Sequence, residues 1–343
     1  MKLLFTGGSG YIGSHTAYEF LRQTDAQIII IDDLSTGFIQ NFDYLNQKFP
    51  SRVQLIQANL NDLEKLDQIM QAHHFDAVIH FAASIIVSES VSNPLKYYLN
   101  NALNTTNFIH LCVQNHIPKF LFSSTAAVYG EPSINPVTEE CLLNPINPYG
   151  SSKLMSEQVL KDVSKVHDFT YIALRYFNVA GANIHNTEEE LKHSSGLGQR
   201  SLNATHLIKV ASECAIGKRA KMSIYGDCYP TQDGTCIRDY IHINDLATAH
   251  LSAFKYLQTH KQSDIFNVGY NRGYSVKEVI ETMKEVSGVD FCAEIDHPRD
   301  GDPAILIASN ERLISHTDWK PQYDDLKLIC KSAYEWEKSL WMK

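Results

Sequence analysis

Along the first 180 or so residues, short apolar runs alternate with longer stretches whose apolar positions recur every three or four residues. The runs KLLFT, IIIID, VQLIQA, AVIHFA, FLFSS and YIALRYF are apolar throughout rather than at every second position, the mark of parallel strands covered by helices on both faces. Between them the spacing predicts helices over about 12–23, 62–72, 94–115 and 149–166. This alternation predicts an α/β fold, a doubly wound parallel sheet that takes its ligands at the carboxyl ends of the strands.

After about residue 178 the rhythm changes to loops, a helix near 204–217, and motifs dense in charge and tyrosine. These predict a smaller α/β lobe for a substrate. The segment DYIHINDLATAHLSAF and the strand-like DIFNVG that follows it should return to the first domain. The expected division is therefore 1–177 plus about 236–270 for the first domain, and about 178–235 plus 271–343 for a discontinuous second lobe. The polar stretch 183–203 predicts a surface loop with room for a helical turn.

A chain of 343 residues is long enough to bury a large core, and a net charge of -9 argues against a surface built to coat nucleic acid. Seven scattered cysteines without a C-x-x-C pair suggest reduced thiols and a cytoplasmic protein, with neither a disulfide framework nor a zinc site. No run reaches the length of a membrane span and no signal peptide is visible. His73, His74 and His242 lack ligand spacing, so no metal is expected.

The segment KLLFTGGSGYIGSHTAYEFL is a strand, then Gly7, Gly8, Gly10 and Gly13, then a helix. Glycines in this setting permit a tight turn, and the helix N-terminus offers free N–H groups to a diphosphate, the Rossmann-type dinucleotide fingerprint. Asp32 and Asp33 end the second strand, where an acid would meet the adenosine ribose; with no arginine following, this favours NAD over NADP.

FLFSSTAAVYG ends the fifth strand with Ser123, Ser124 and Thr125, and NPYGSSK opens the next helix with Tyr149 and Lys153 four positions apart. Alone, such a pair is equally well an ordinary helical neighbour pair. Behind a nucleotide loop it suggests a phenol whose pKa is lowered by an ammonium, able to act as a base near neutral pH.

The chain resembles the extended short-chain dehydrogenase/reductase family and, within it, the UDP-glucose 4-epimerases. The resemblance runs through FTGGSGYIGSHT, VIHFAA, ESVSNPLKYYLNN, FSSTAAVYGEP, NPYGSSKLMSEQ, LRYFNVAGA, YGDCYPTQDGTCIRDYIHINDLA, FNVG and RDGDPA. It implies reversible epimerisation at C4 of UDP-glucose and UDP-galactose, by transient oxidation to a 4-keto sugar, rotation and re-reduction. Tyr149 would be the base, Lys153 its support and a ribose contact, and Thr125 a hydrogen-bond partner of the 4'-oxygen. Cofactor contacts would come from Gly7, Gly10, Tyr11, Ile12, Gly13, Asp32, Asp33, Asn59, Leu60, Phe81, Ala82, Ala83, Ser123, Tyr149, Lys153 and Tyr176. Ser124, Thr125, Asn178, His206, Leu207, Tyr225, Arg238, Arg299, Asp302 and Leu306 would face the UDP-sugar. A homodimer built on the helices near 94–115 and 149–166 is likewise implied.

Departures from the pattern sharpen the expectation. Ala126 and Ala127 stand where related dehydratases carry an Asp-Glu pair, so elimination would lack its general acid. Ile85 replaces a lysine and Asn59 an aspartate at two cofactor positions, which suggests looser retention of NAD. Leu306 falls where residue size decides whether an N-acetyl group is admitted. The alternatives are an epimerase acting mainly on UDP-N-acetylglucosamine and UDP-N-acetylgalactosamine or another nucleotide sugar, a reductase using NAD as a dissociable co-substrate, and a non-catalytic nucleotide sensor.

Overall fold

The apolar runs are strands enclosed on both sides: Leu3, Leu4 and Phe5 have no exposed surface, and their alternation feeds two separate cores. The computed structural model describes residues 1–299 and 302–341. The first strands are β1 (Lys2–Thr6), β2 (Gln27–Asp32), β3 (Val53–Gln57), β4 (Ala77–His80), β5 (Lys119–Thr125) and β6 (Thr170–Tyr176). Interleaved with them are α1 (Tyr11–Gln23), α2 (Ile39–Lys48), α3 (Leu63–Ala72), α4 (Val87–Ser92), α5 (Pro94–Tyr97), a π-helical turn Tyr98–Leu103, α6 (Asn104–Gln114) and α7 (Pro148–Val163). There follow β7 (Asn178–Ala180), α8 (Glu188–Lys192), α9 (Leu207–Ala215), β8 (Lys221–Tyr225), β9 (Ile237–Arg238), β10 (Tyr240–His242), α10 (Ile243–His260) and β11 (Asp264–Val268). The last elements are β12 (Tyr274–Ser275), α11 (Val276–Ser287), β13 (Cys292–Asp296), β14 (Ile305–Leu306), α12 (Glu311–His316) and α13 (Leu326–Trp341).

The main sheet has seven parallel strands in the order β11-β6-β5-β4-β1-β2-β3. Leu3, Phe5, Ile28 and Ile30 pack on one face with Phe20 of α1 and Leu246 and Phe254 of α10. Leu4, Ile29 and Ile31 pack on the other with Leu66, Phe108 and Leu160 of α3, α6 and α7. The strand order reverses at β1, so the connections leaving β1 and β4 run to opposite faces of the sheet and leave a crevice at the carboxyl edge. Against that edge stand three small sheets, β7 with β10, β8 with β13, and β9 between β12 and β14. No helix among the described residues is long and apolar enough to cross a membrane.

Two expectations need correction. The stretch 94–115 is not one α-helix: it passes through the π-helical turn, whose Asn101 amide accepts from Ser84 N (2.8 Å) and donates to Ser84 O (2.9 Å) and Ser152 Oγ (3.2 Å). One widened turn lets the helix bond sideways to the loop after β4; such turns gather at functional sites. The stretch 183–203 is not simply surface loop. It holds α8, capped by Thr187 and Glu190, but Asn183, Leu197 and Gln199 are buried. The cause is a reciprocal clasp, Asn186 Nδ2 to Leu197 O at 2.8 Å and Leu197 N to Asn186 Oδ1 at 2.9 Å, with the Arg200 guanidinium laid over Trp336 of α13.

Candidate active site

One cavity of about 670 Å³ runs along the crevice from the glycine loop to β9 and β14. At its first end Gly7 has φ +69°, and a Cβ there would come within 2.7 Å of Ala82 N, so the loop after β1 lies directly on the loop after β4. Gly10 caps α1, whose first turn carries no acidic residue, leaving a bare positive helix end toward the cavity wall formed by Gly10, Tyr11, Ile12 and Gly13. Asp32 accepts from Ser9 N and Leu34 N, both at 2.9 Å, bracing the loop while two of its lone-pair positions stay free. Burial holds its carboxyl above the usual range. Asn59 donates its amide N–H to Asp33 and accepts from Asn61 N, which leaves one lone-pair position of its carbonyl oxygen free on the cavity wall. Leu60, Phe81, Ala82 and Ala83 complete this end.

The reactive groups meet in the middle. Asn147 accepts from Gly150 N at 2.9 Å and Pro148 occupies the first turn, which together start α7 at a fixed point. Gly150 rests on Ala127 O, where a Cβ would stand 2.5 Å away, and this seats Tyr149 beside the end of β5. The Thr125 hydroxyl lowers the pKa of Tyr149, but burial is the larger influence and the net shift is upward. The expected depression of Tyr149 by Lys153 is thus not present without ligands. Lys153 is buried, donates to Ser123 O at 2.7 Å and lies 4.8 Å from the centre of the Phe122 ring. Burial lowers its pKa to about 7, against the opposing pull of Glu157.

Strand alternation sorts the three hydroxyls of β5. Ser123 and Thr125 line the cavity, Ser123 bonded to the Tyr176 hydroxyl, and Tyr176 lines it too. Ser124 points to the opposite face, fully buried, with its hydroxyl on Glu157. Its assignment as a sugar contact is therefore corrected: two-residue periodicity allows only one of two adjacent hydroxyls to face the ligand.

Glu157 and Arg175, which sequence reasoning missed, form a buried pair at 2.6 Å, and Arg175 donates onward to the Tyr129 hydroxyl at 2.9 Å. The signal was available: Tyr149, Lys153 and Glu157 recur every four residues along one stripe of α7. Tyr97, Lys96, Asn100 and Phe177 were also missed; Tyr97 packs edge-on to Tyr149 with ring centres 6.3 Å apart.

At the far end, Arg238 pairs with Asp302 at 2.6 Å and Leu306 lies beside it in strand register, all three lining the cavity with Asn178 and His206. Leu207 lines a smaller adjoining space with His206 and Gln199. Tyr225 and Arg299 are brought together, the guanidinium 3.7 Å over the ring centre, but outside the cavity wall. Among the described residues no three His, Cys, Asp or Glu side chains are grouped to hold a metal ion.

Residues 3–269 match the model of the NAD dependent epimerase/dehydratase family. The chain is 45% identical to a UDP-glucose 4-epimerase of Azospirillum brasilense over 99% of its length and 92% of that protein. Among solved structures, the UDP-Glc/GlcNAc 4-epimerase of Campylobacter jejuni is 52% identical with a TM-score of 0.84, over 98% of this chain and 99% of that one. A UDP-glucose-4-epimerase of Stenotrophomonas maltophila, solved with NAD and formylated UDP-arabinopyranose, is 32% identical with a TM-score of 0.92, over 99% and 98% of the two chains. The fold, the glycine cradle and these similarities lead to one conclusion: the chain belongs to the NAD dependent epimerase/dehydratase family.

Proposed function

We propose that the protein is an NAD-dependent 4-epimerase that interconverts UDP-glucose and UDP-galactose. The cradle fits the dinucleotide: Gly7, Gly10 and the bare end of α1 for its diphosphate, Asp32 with free acceptor positions for a ribose, and Tyr149 and Tyr176 toward the reacting end. When bound, NAD supplies a reversible acceptor for the hydride at the sugar's C4. The chain's own residues manage the proton and the geometry. Tyr149, in its ionised form, takes the proton of the 4'-hydroxyl and returns it, Thr125 holds the 4'-oxygen, and Lys153 supports the phenolate once ligands close the site. Arg238 meets the UDP diphosphate, with Asp302 placed for the uridine ribose. Ser123, Phe81, Leu60 and their neighbours shape the cofactor side, and Asn178, His206 and Leu207 the sugar-nucleotide side. Tyr225 and Arg299, stacked on each other outside the wall, are kept as contacts in the loaded enzyme, Tyr225 for the uracil and Arg299 for the UDP diphosphate.

The observation that carries this reading is the cavity wall after Thr125, where Ala126 and Ala127 are the next residues. A dehydratase of the same family needs a proton donor for the departing hydroxyl, and alanine supplies none. Purified protein given UDP-galactose alone should form UDP-glucose without net NADH. No conversion even with NAD supplied, or conversion matched by NAD consumption, would refute the proposal.

Leu306, buried on the cavity wall, supports some activity on the N-acetylated pair, as does the likeness to the Campylobacter enzyme named for both sugars. Rates on both pairs in one assay decide this, and a clear preference for UDP-N-acetylgalactosamine would reverse the order of substrates. The protein acts as a homodimer in a reducing, cytoplasmic setting. In support, Leu95, Leu99 and Leu103 form an exposed stripe one helical turn apart, with Val91 and Met155 alongside, and all seven cysteines are unpaired.

A further inference from the structure

We infer that Lys96 is the side chain that receives the diphosphate of the dinucleotide, an assignment that rests on the NAD reading above. A cavity that takes a dinucleotide and a sugar nucleotide together must accommodate two diphosphates. Among the described residues its wall carries cations at Lys96 and Arg238 only. They stand on opposite sides. Arg238 belongs to β9, is paired with Asp302, and neighbours Leu306 on the sugar-nucleotide side. Lys96 belongs to the wall that continues from the glycine loop.

That wall can be followed bond by bond. Gly7 lies against Ala82, and Ala82 and Ala83 lead to Ser84, whose hydroxyl accepts from Asn100 Nδ2 at 3.3 Å. Lys96 precedes Asn100 by four residues, so both project on one side of the helix, and both line the cavity. The neighbouring wall residues Ile85 and Val87 bring no charge. Without ligand, the Lys96 ammonium rests on Glu89 Oε1 at 2.7 Å, with the lysine side chain 46% exposed. Exposed pairs of this kind are weak and readily exchanged. Glu89 does not depend on Lys96 for its position, because its other oxygen accepts from the Tyr97 hydroxyl at 2.8 Å. Lys96 is therefore parked on a fixed carboxylate, one side-chain swing from a phosphate.

The test measures binding, independently of turnover. On protein stripped of nucleotide, Lys96→Ala should weaken NAD about fivefold and flatten its salt dependence, while UDP affinity stays unchanged. Lys96→Arg should retain NAD, and Glu89→Gln, which removes the competing carboxylate, should tighten it. Unchanged NAD affinity and salt slope in Lys96→Ala overturn the inference, as does a loss that falls on UDP instead. If the unmutated protein itself binds no NAD, the functional reading fails as well, so the two failures are distinguishable.

Discussion

The Lys153 ammonium donates a 2.7 Å hydrogen bond to the carbonyl oxygen of Ser123, two residues before Thr125, which shares the cavity wall with Tyr149. The lysine is thus anchored to the strand that presents its partner, and enclosure lowers its pKa from 10.5 to about 7. Below pH 7 folded and unfolded chains are both protonated there, and the folded protein bears the full cost of the buried charge. Between about 7 and 10.5 the unfolded chain keeps the extra proton, so stability rises with pH. Lys153→Met should therefore be more stable than the parent at pH 6 without nucleotide, by up to about 5 kcal/mol at roughly 1.4 kcal/mol per pKa unit. The advantage should shrink toward pH 10; a growing margin would contradict the assignment.

Tyr149→Phe removes the proton carrier and little else, since the ring still packs on Tyr97. Turnover of UDP-galactose should fall by about 10²–10⁴ or more, with binding of UDP and NAD preserved. Steady-state rates and calorimetry on one preparation check both halves.

Glu157 serves Arg175, Ser124 and, through space, Lys153. Glu157→Ala leaves a buried guanidinium unpaired and should cost about 3–5 kcal/mol in urea unfolding. Glu157→Gln, able to keep hydrogen bonds, should cost less. Equal stability of all three proteins would show the pair to be dispensable.

At Gly7 a side chain is excluded twice, by the left-handed backbone and by Ala82 N at 2.7 Å. Gly7→Ala should push the loops after β1 and β4 apart, lowering stability by about 1–2 kcal/mol from the backbone alone and abolishing NAD binding. Retained binding would mean the crevice yields more than its contacts suggest.

Charge placed in the exposed leucine stripe tests assembly. Leu95→Glu with Leu99→Glu should convert a homodimer to monomers in light scattering while leaving the circular dichroism of the fold intact. A parent protein that is already monomeric would remove the proposal.

The sheet was legible because runs such as Leu3–Phe5 and Ile28–Ile31 are buried on both faces and leave no polar position to obscure them. The glycine loop, Asp32 and Tyr149 were legible as cavity-wall residues because each lies in a local pattern a few residues long. What failed was directional or long-range. Ser124 was grouped with Ser123 and Thr125 by adjacency, although a strand turns it to the other face. Arg175 finds Glu157 across 18 positions, and the buried segment near Leu197 depends on Asn186 and Trp336, which no local window connects. The π-helical turn at Tyr98–Leu103 has the composition of an ordinary helix and is explained only by its bonds to Ser84.

The placement of β11 carries a consequence for synthesis. This strand completes the sheet beside β6, yet it follows the excursion that contains α8, α9 and four short strands. As the chain leaves the ribosome, β6 waits as an open edge while that whole excursion is made, exposing unpaired backbone groups that only residues 264–268 will satisfy. A fragment stopped just after Tyr176 would keep that edge permanently, and any attempt to isolate the nucleotide half as a stand-alone module must carry β11 with it.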